Sequence, residues 1–103
     1  MFGSHSDSAV KEQKKLNPKD AMAQKIEAIS GSTEMVFKLG QIYVKPFITV
    51  ALNPEKGKKF IVFQEAAGTD GKPGGKRGKF WETNNAKEIA GWVLEREGSP
   101  YQA

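Results

Sequence analysis

The spacing of apolar and polar positions changes twice along the chain, from a helical period to a period of two and back again. Within residues 17–30 the apolar side chains at helical spacing are Ala21, Met22, Ile26 and Ile29. Asn17 is a good N-cap, and Pro18 fits the first helical position because no backbone N–H is needed there. The pattern therefore predicts a short helix over residues 18–29.

From Glu34 onward, apolar and polar positions alternate, which is typical of strands with two different faces. Four segments show this pattern: 34–40, 41–52, 58–66 and 76–83. The second segment contains Pro46, which cannot donate to a ladder, so we expect that strand to lie at an edge or to break there. These segments predict four antiparallel strands joined by turns.

The chain closes with a second helical pattern. Asn85 can cap the helix, Glu88 can complete a capping box, and Gly98 is placed to end it. The apolar stripe of this helix is Ala86, Ile89, Ala90 and Val93, with Trp92 beside it. The predicted fold is α+β, with four strands followed by a helix (ββββα) and a short helix before them.

We interpret residues 1–16 as a flexible tail and residues 17–103 as one domain with a core over about 34–98. So small a core supplies only a few kcal/mol, and the last helix is more apolar than one sheet face requires. We therefore expect a homodimer that shares this helix through Ile89, Trp92 and Val93. The alternative is a monomer whose helix covers its own sheet.

Composition excludes several kinds of site. The chain has no cysteine and one histidine, His5, in the predicted tail, so neither a Cys/His nor a Ser/His centre can be built. We expect no metal, no cofactor and no enzymatic activity. No apolar run approaches the roughly 18 residues of a membrane span, so we expect no membrane partner. The expected location is intracellular: cytoplasm or nucleoid in a prokaryote or virus, nucleus in a eukaryote.

Positive charge is concentrated in the middle of the chain. The formal net charge is +4, and nine of the sixteen Lys and Arg residues, but three of the twelve acids, lie within residues 35–80. The segment 71–79, GKPGGKRGK, lacks the spacing of a P-loop or of a dinucleotide-binding motif. It contains the G-x-x-G of a KH domain, but it joins two predicted strands, not two helices. The local positive field favours a polyanionic partner.

Three predicted strands each combine cations with aromatic rings on one face. These sets are Tyr43, Lys45, Phe47 and Thr49 on the second strand, Lys59 and Phe63 on the third, and Arg77, Lys79 and Trp81 on the fourth. Cations neutralise phosphates and rings stack on unpaired bases, so the pattern favours single strands over duplexes. The alternative is that Phe47, Phe63 and Trp81 are core residues, since a helix must cover one sheet face. Phe37, Phe60, Ile61, Val62 and Phe80 are assigned to the core or to whichever sheet face the helix covers.

From Phe37 to about Val93 the chain resembles the single-stranded-DNA-binding domain of the transcriptional positive cofactor four (Sub1-type) coactivators. The matching segments are Phe37-Lys38-Leu39-Gly40, Tyr43-Val44 through Phe47, Gly57-Lys58, Phe60-Ile61-Val62-Phe63, and Lys72-Pro73-Gly74 with Lys76, Arg77 and Gly78. Ala66 and Ala67 stand where the family has a Tyr-Trp pair. The resemblance implies a curved four-stranded antiparallel sheet, a helix-mediated dimer and binding of unpaired DNA. Whirly and Pur-type proteins are similar in topology.

The sequence thus predicts a single-stranded DNA-binding protein of low sequence specificity, possible roles being transcription coactivator or replication or repair accessory factor. Phosphates would meet Lys38, Lys45, Lys58, Lys59, Lys72, Lys76, Arg77 and Lys79, and bases would stack on Tyr43, Phe47 and Trp81. Two alternatives stay open: an RNA-binding chaperone that uses the same sheet, and a protein-interaction module that binds no nucleic acid.

Overall fold

The computed structural model describes residues 16–55 and 57–102. Its elements in chain order are α1 (Pro18–Glu27), β1 (Glu34–Lys38), β2 (Phe47–Leu52), β3 (Phe60–Glu65), β4 (Gly78–Thr83), α2 (Ala86–Glu95) and β5 (Ser99–Pro100). The strands form one antiparallel sheet in the order β4-β3-β2-β1-β5. The prediction of an α+β fold with a ββββα core is confirmed, and the short β5 is an addition to it. Most of the predicted tail lies outside the described residues.

Both helices pack on one face of the sheet, where they enclose the core. α1 begins as predicted, with the Asn17 side chain accepting a hydrogen bond from the Asp20 amide at 2.8 Å. It ends at Glu27, two residues earlier than expected. The buried apolar residues of this layer are Met22, Ala23 and Ile26 from α1, and Ala86, Ile89, Ala90 and Val93 from α2. No helix in the described residues has the length and apolar character needed to cross a bilayer.

The burial of α2 changes the expected dimer. Ile89 and Val93 are fully buried within a single chain, packed with α1 and the sheet. A side chain that has no surface left cannot form an interface with a second copy. The prediction that Ile89 and Val93 mediate dimerisation is therefore wrong. α1 covers the apolar surface of α2 that a second protomer was expected to cover.

The second predicted strand begins six residues late. Residues 41–45 form a turn in which the Tyr43 amide donates to the Gly40 carbonyl at 3.3 Å. The alternating residues of this segment form no strand. Ile42 and Val44 are 84% and 85% exposed, so they do not belong to a buried face either. Regular pairing starts only after Pro46, which has no N–H to contribute.

Both ends of α2 differ in detail from the expected caps. The Asn85 side chain accepts from the Lys87 amide at 3.0 Å, but Glu88 accepts from the Thr83 hydroxyl at 2.7 Å and forms no capping box. At the other end Glu97 adopts the left-handed conformation at φ 59°, and the Gly98 amide donates to the Val93 carbonyl at 2.9 Å. This is a Schellman motif with a glutamate where glycine is usual.

Gly98 is instead required by packing. A Cβ there would overlap the Val93 side chain and would lie 2.9 Å from Leu39 Cδ2 and from the Val93 carbonyl oxygen. The glycine therefore lets the chain pass closely under α2 on its way to β5.

Candidate nucleic-acid interface

The strand register sorts the sheet residues onto two faces. Opposite partners share a face, so Phe37 with Ile48, and Val50 with Val62, lie on the side covered by the helices. The other side has no described element packed across it, and we call it the open face. Its residues are Glu34, Val36, Lys38, Phe47, Thr49, Ala51, Ile61, Phe63, Glu65, Lys79 and Glu82.

A β-bulge separates the residues that were predicted to share a face of β4. Val62 pairs with Trp81, but Phe63 pairs with Lys79, so Phe80 is an extra residue between them. Lys79 therefore lies on the open face and Trp81 on the helix-covered face. Trp81 is half-buried and its ring centroid lies 6.3 Å from that of Trp92 on α2. The prediction that Lys79 and Trp81 share a face of the fourth strand is therefore wrong.

Phe47 lies on the open face but offers no surface to a base. It is 0% exposed, and the ring of Tyr101 meets it edge-on at a centroid distance of 4.9 Å. Lys38 Nζ lies 5.7 Å from the centroid of the same ring. Tyr43, which is half-buried, packs against the core from the turn before β2. Neither ring occupies the stacking position that the strand pattern predicted for it.

Phe63 is the ring that the open face presents, and Arg77 covers it. The Arg77 guanidinium carbon lies 4.5 Å from the ring centroid. Its two terminal nitrogens donate to both carboxylate oxygens of Glu34, at 3.0 and 2.7 Å. These hydrogen bonds lower the pKa of Glu34 below its ordinary 4.5 and raise the pKa of Arg77. The bidentate pair thus joins the segment before β4 to the start of β1.

A groove of about 410 Å³ lies along this end of the open face. Its floor contains Ala51, Ile61 and Phe63, and Glu34 and Arg77 belong to its lining. An apolar floor that contains an aromatic ring, beside a guanidinium, can hold a flat ligand by stacking.

Lys79 is the second cation of the open face that is already paired. Its ammonium donates to Glu82 at 2.9 Å, and this hydrogen bond raises the pKa of Lys79 and lowers that of Glu82. Glu82 also accepts from the Asn53 side chain at 2.8 Å. A phosphate at Lys79 or Arg77 would therefore have to share the cation with a carboxylate or displace it.

The glycine-rich loop between β3 and β4 is internally hydrogen-bonded. The Gly68 amide donates to the Lys72 carbonyl at 2.7 Å, and the Gly74 amide to the Ala66 carbonyl at 2.9 Å. Gly71 and Gly75 adopt positive φ angles of 79° and 93°, which glycine reaches without strain. The Gly75 amide donates to the buried carboxylate of Glu65. The loop is therefore a shaped platform that holds Lys72 and Lys76 in solvent, rather than a set of amides open to phosphate.

The predicted cations divide between the two ends of the sheet. β1 ends and β2 begins at the same end where β3 ends and β4 begins. Lys38 and the exposed Lys45, Lys72 and Lys76 therefore lie at one end, which we call the basic end. None of these four forms an ion pair with an acid in the described residues. Lys58 and Lys59 lie at the opposite end, about 20 Å away along a six-residue strand.

Two residues of the interface were missed as site residues by the sequence reasoning. Phe63 was noted for its face but not chosen for stacking, and Glu34 was not considered. Glu34 and Arg77 are 43 positions apart, so only the register brings them together. Ile61, which was assigned to the core or to the helix-covered face, lies half-buried on the open face. Phe80, assigned in the same way, packs near Trp92 on the helix-covered side but is 37% exposed.

Comparisons with protein-family models, with curated proteins and with solved structures find no match to this chain. The resemblance to the positive-cofactor family therefore stays a prediction drawn from the residues quoted above.

Proposed function

We propose that this chain is a non-enzymatic protein that binds single-stranded nucleic acid, with little sequence preference, on the open face and the basic end. The observation that carries the proposal is that the loops 39–46 and 66–77 lie at the same end of the sheet, where they bring the exposed Lys45, Lys72 and Lys76 to the end at which Lys38 lies on the open face. A strand that entered at this end would meet cations first and the apolar floor of the groove next.

We assign the phosphate contacts to lysines that form no ion pair within residues 16–55 and 57–102. Lys72 and Lys76 stand on the hydrogen-bonded loop, so their positions are restricted before binding, which reduces the entropy cost of forming the contacts. Lys38 and Lys45 extend the same charge across the neighbouring loop. Contacts of this kind give affinity that is independent of sequence and steeply dependent on salt.

We assign the base contacts to Phe63 and Arg77. They replace Tyr43, Phe47 and Trp81, the three rings that the sequence pattern favoured. A guanidinium plane over an aromatic ring is a surface on which a base can stack, either on Arg77 itself or on Phe63 after Arg77 has moved. A paired duplex hides its base faces within the stack, so this arrangement favours unpaired strands of DNA or RNA.

A protein partner is the second candidate, and one observation favours it. Ile42 and Val44 project into solvent from the turn after β1, next to Lys45. Two large apolar side chains exposed together on a loop are typical of a contact surface. A transcription or replication accessory factor would use such a tip to reach other proteins while the basic end held nucleic acid.

The test is a salt titration of binding to a labelled oligothymidylate, with Lys72→Ala/Lys76→Ala compared to Lys25→Ala. Lys25 is an exposed lysine of α1, on the helix layer away from the open face. Each lost phosphate contact should reduce the log–log salt slope by about 0.7. We expect a loss of about 1.4 for the double variant and no change for the control. Equal slopes in all three proteins would contradict the proposed site.

Parallel titrations with a matched RNA strand and with duplex DNA assign the substrate class. Tighter binding to single strands than to duplex is the expected result. The absence of any binding at low salt would refute the nucleic-acid proposal and leave the exposed turn as the site of action.

A further inference from the structure

The outer edge of β4 is the longest unpaired strand edge in the described sheet. β4 runs over Gly78–Thr83 and pairs only with β3. At the opposite edge, β1 is partly covered by β5, which pairs with Phe37 and Lys38. An uncovered edge presents a row of backbone donors and acceptors that fits another strand.

Aromatic side chains flank this edge on the helix-covered side. The Phe80 ring lies 5.3 Å from Trp92 and 6.4 Å from Trp81 between centroids. Phe80 is 37% exposed although it belongs to this cluster. We call Phe80, Trp81 and Trp92 the aromatic cluster. Aromatic rings left accessible beside a strand edge are suited to a protein interface, where they bury large areas at small entropic cost.

The charged residues of β4 on the open face are spaced so that they can pair with the same residues of a second β4 strand that runs antiparallel to it. The bulge at Phe80 places Lys79 and Glu82 on the same face, although a regular strand would put them on opposite faces. In an antiparallel pair of two β4 strands centred between Phe80 and Trp81, Lys79 lies opposite Glu82 of the partner subunit. The same register sets Phe80 opposite Trp81 of the partner subunit, on the side of the aromatic cluster.

We propose that β4 pairs antiparallel with β4 of a second copy of this chain, so that one continuous sheet runs through both protomers. Two Lys79–Glu82 pairs would then bridge the two-fold axis on the open face, and the two aromatic clusters would meet on the other face. Of the three α2 residues expected at a dimer interface, this one includes Trp92 and excludes Ile89 and Val93, which are buried. It leaves Phe63, Arg77 and the basic end accessible, and it does not depend on the proposed binding of nucleic acid.

Charge reversal tests the register directly by light scattering or sedimentation. Lys79→Glu and Glu82→Lys each place like charges opposite one another twice per dimer, so each should weaken dimerisation roughly tenfold to a hundredfold. The combined variant Lys79→Glu/Glu82→Lys restores opposite charges and should recover the dimer. Lys25→Glu, a reversal of the same size on α1, is the matched control and should leave the dimer unchanged.

Intrinsic fluorescence gives an independent readout. The chain has two tryptophans, and both belong to the aromatic cluster, so its tryptophan emission reports on this edge. We expect the emission to change with protein concentration over the range in which the mass changes from monomer to dimer. The Lys79→Glu protein should shift this change to higher concentration.

Cross-linking keeps the proposal testable if a charge variant fails to fold. The chain has no cysteine, and directly opposed residues in an antiparallel pair have Cα atoms about 4.5–5.5 Å apart, within disulfide range. A mixture of Lys79→Cys and Glu82→Cys should form a disulfide-linked heterodimer, while Lys25→Cys with Glu82→Cys should not. A protein that is monomeric at every concentration would overturn the proposal. Lys79 and the bulge would then serve to prevent the β4 edge from pairing with another strand. A dimer indifferent to all these changes would overturn the proposal equally.

Discussion

The two faces of the sheet are built from the same strands but are covered in different ways. On one face, Phe37, Ile48 and Val62 are sealed by two helices and are fully buried. On the open face, single side chains provide the cover: Tyr101 lies against Phe47, and Arg77 lies over Phe63. In β1, β2 and β3, alternation therefore indicates which residues share a face, whereas a bulge interrupts it in β4. Burial on a face depends on what reaches it from elsewhere in the chain.

Two phenylalanines of β3 test this comparison most strongly, because they differ only in the face they occupy. Phe60 is 1% exposed in the helix-covered core, so Phe60→Ala should cost about 3–5 kcal/mol, enough to unfold much of a domain this small. Phe63 is only half-buried, so Phe63→Ala should cost about 1–2 kcal/mol. Urea unfolding of both variants measures the difference, and equal losses would show that the open face is covered in solution.

Tyr101 tests whether a single ring buries Phe47. Its edge-to-face contact and the area that it covers should be worth about 1–2 kcal/mol, which Tyr101→Ala removes. Tyr101→Phe keeps the ring and is the matched control, with a change near zero expected. Thermal melts of the three proteins decide it. If the alanine variant is as stable as the control, the strand β5, rather than the ring, protects Phe47.

Much of the fold was predictable because its elements carry their own periodic signals. Both helices and the strands β1 and β3 follow from apolar spacing that matches the side they bury, and β4 was predicted as a strand although its bulge changes which residues share a face. The first half of the second segment alternates equally well, yet it forms a turn between Gly40 and Pro46. The two-residue β5 has no pattern of its own, because its contact with Phe37 fixes it.

The candidate site was less predictable, since it depends on register. The concentration of cations in the middle of the chain is visible in the sequence, but their division between two ends of the sheet is not. Adjacent rings at Phe80 and Trp81 give no sign of the bulge that moves one of them to the helix-covered face. Glu34, the partner of Arg77, lies on another strand, so the sequence alone does not show that the charge of Arg77 is neutralised.

The smallest expected change in stability concerns Glu34, whose carboxylate holds Arg77 much as a phosphate would. Glu34→Gln removes a half-exposed ion pair, so it should cost no more than about 1 kcal/mol at neutral pH. The same change leaves the Arg77 guanidinium without its competitor. If the open face binds nucleic acid, affinity for an oligothymidylate should therefore rise a few-fold, whereas substitutions that remove cations lower it. An affinity that falls or stays constant would place the binding strand away from Arg77.

The pH dependence of stability shows whether the lost Glu34–Arg77 ion pair, and not another effect of the glutamine, accounts for the behaviour of Glu34→Gln. Because Arg77 lowers the pKa of folded Glu34 below 4.5, the pair stabilises the fold above the unfolded pKa and is lost as pH falls through the folded value. The wild-type protein should thus be the more stable of the two at neutral pH, and its advantage over Glu34→Gln should shrink below pH 4.5. Urea unfolding of both proteins across this range measures the gap. A gap that is constant with pH would mean that the glutamine disturbs the strand β1 itself, and the few-fold rise in affinity could then not be ascribed to a released arginine.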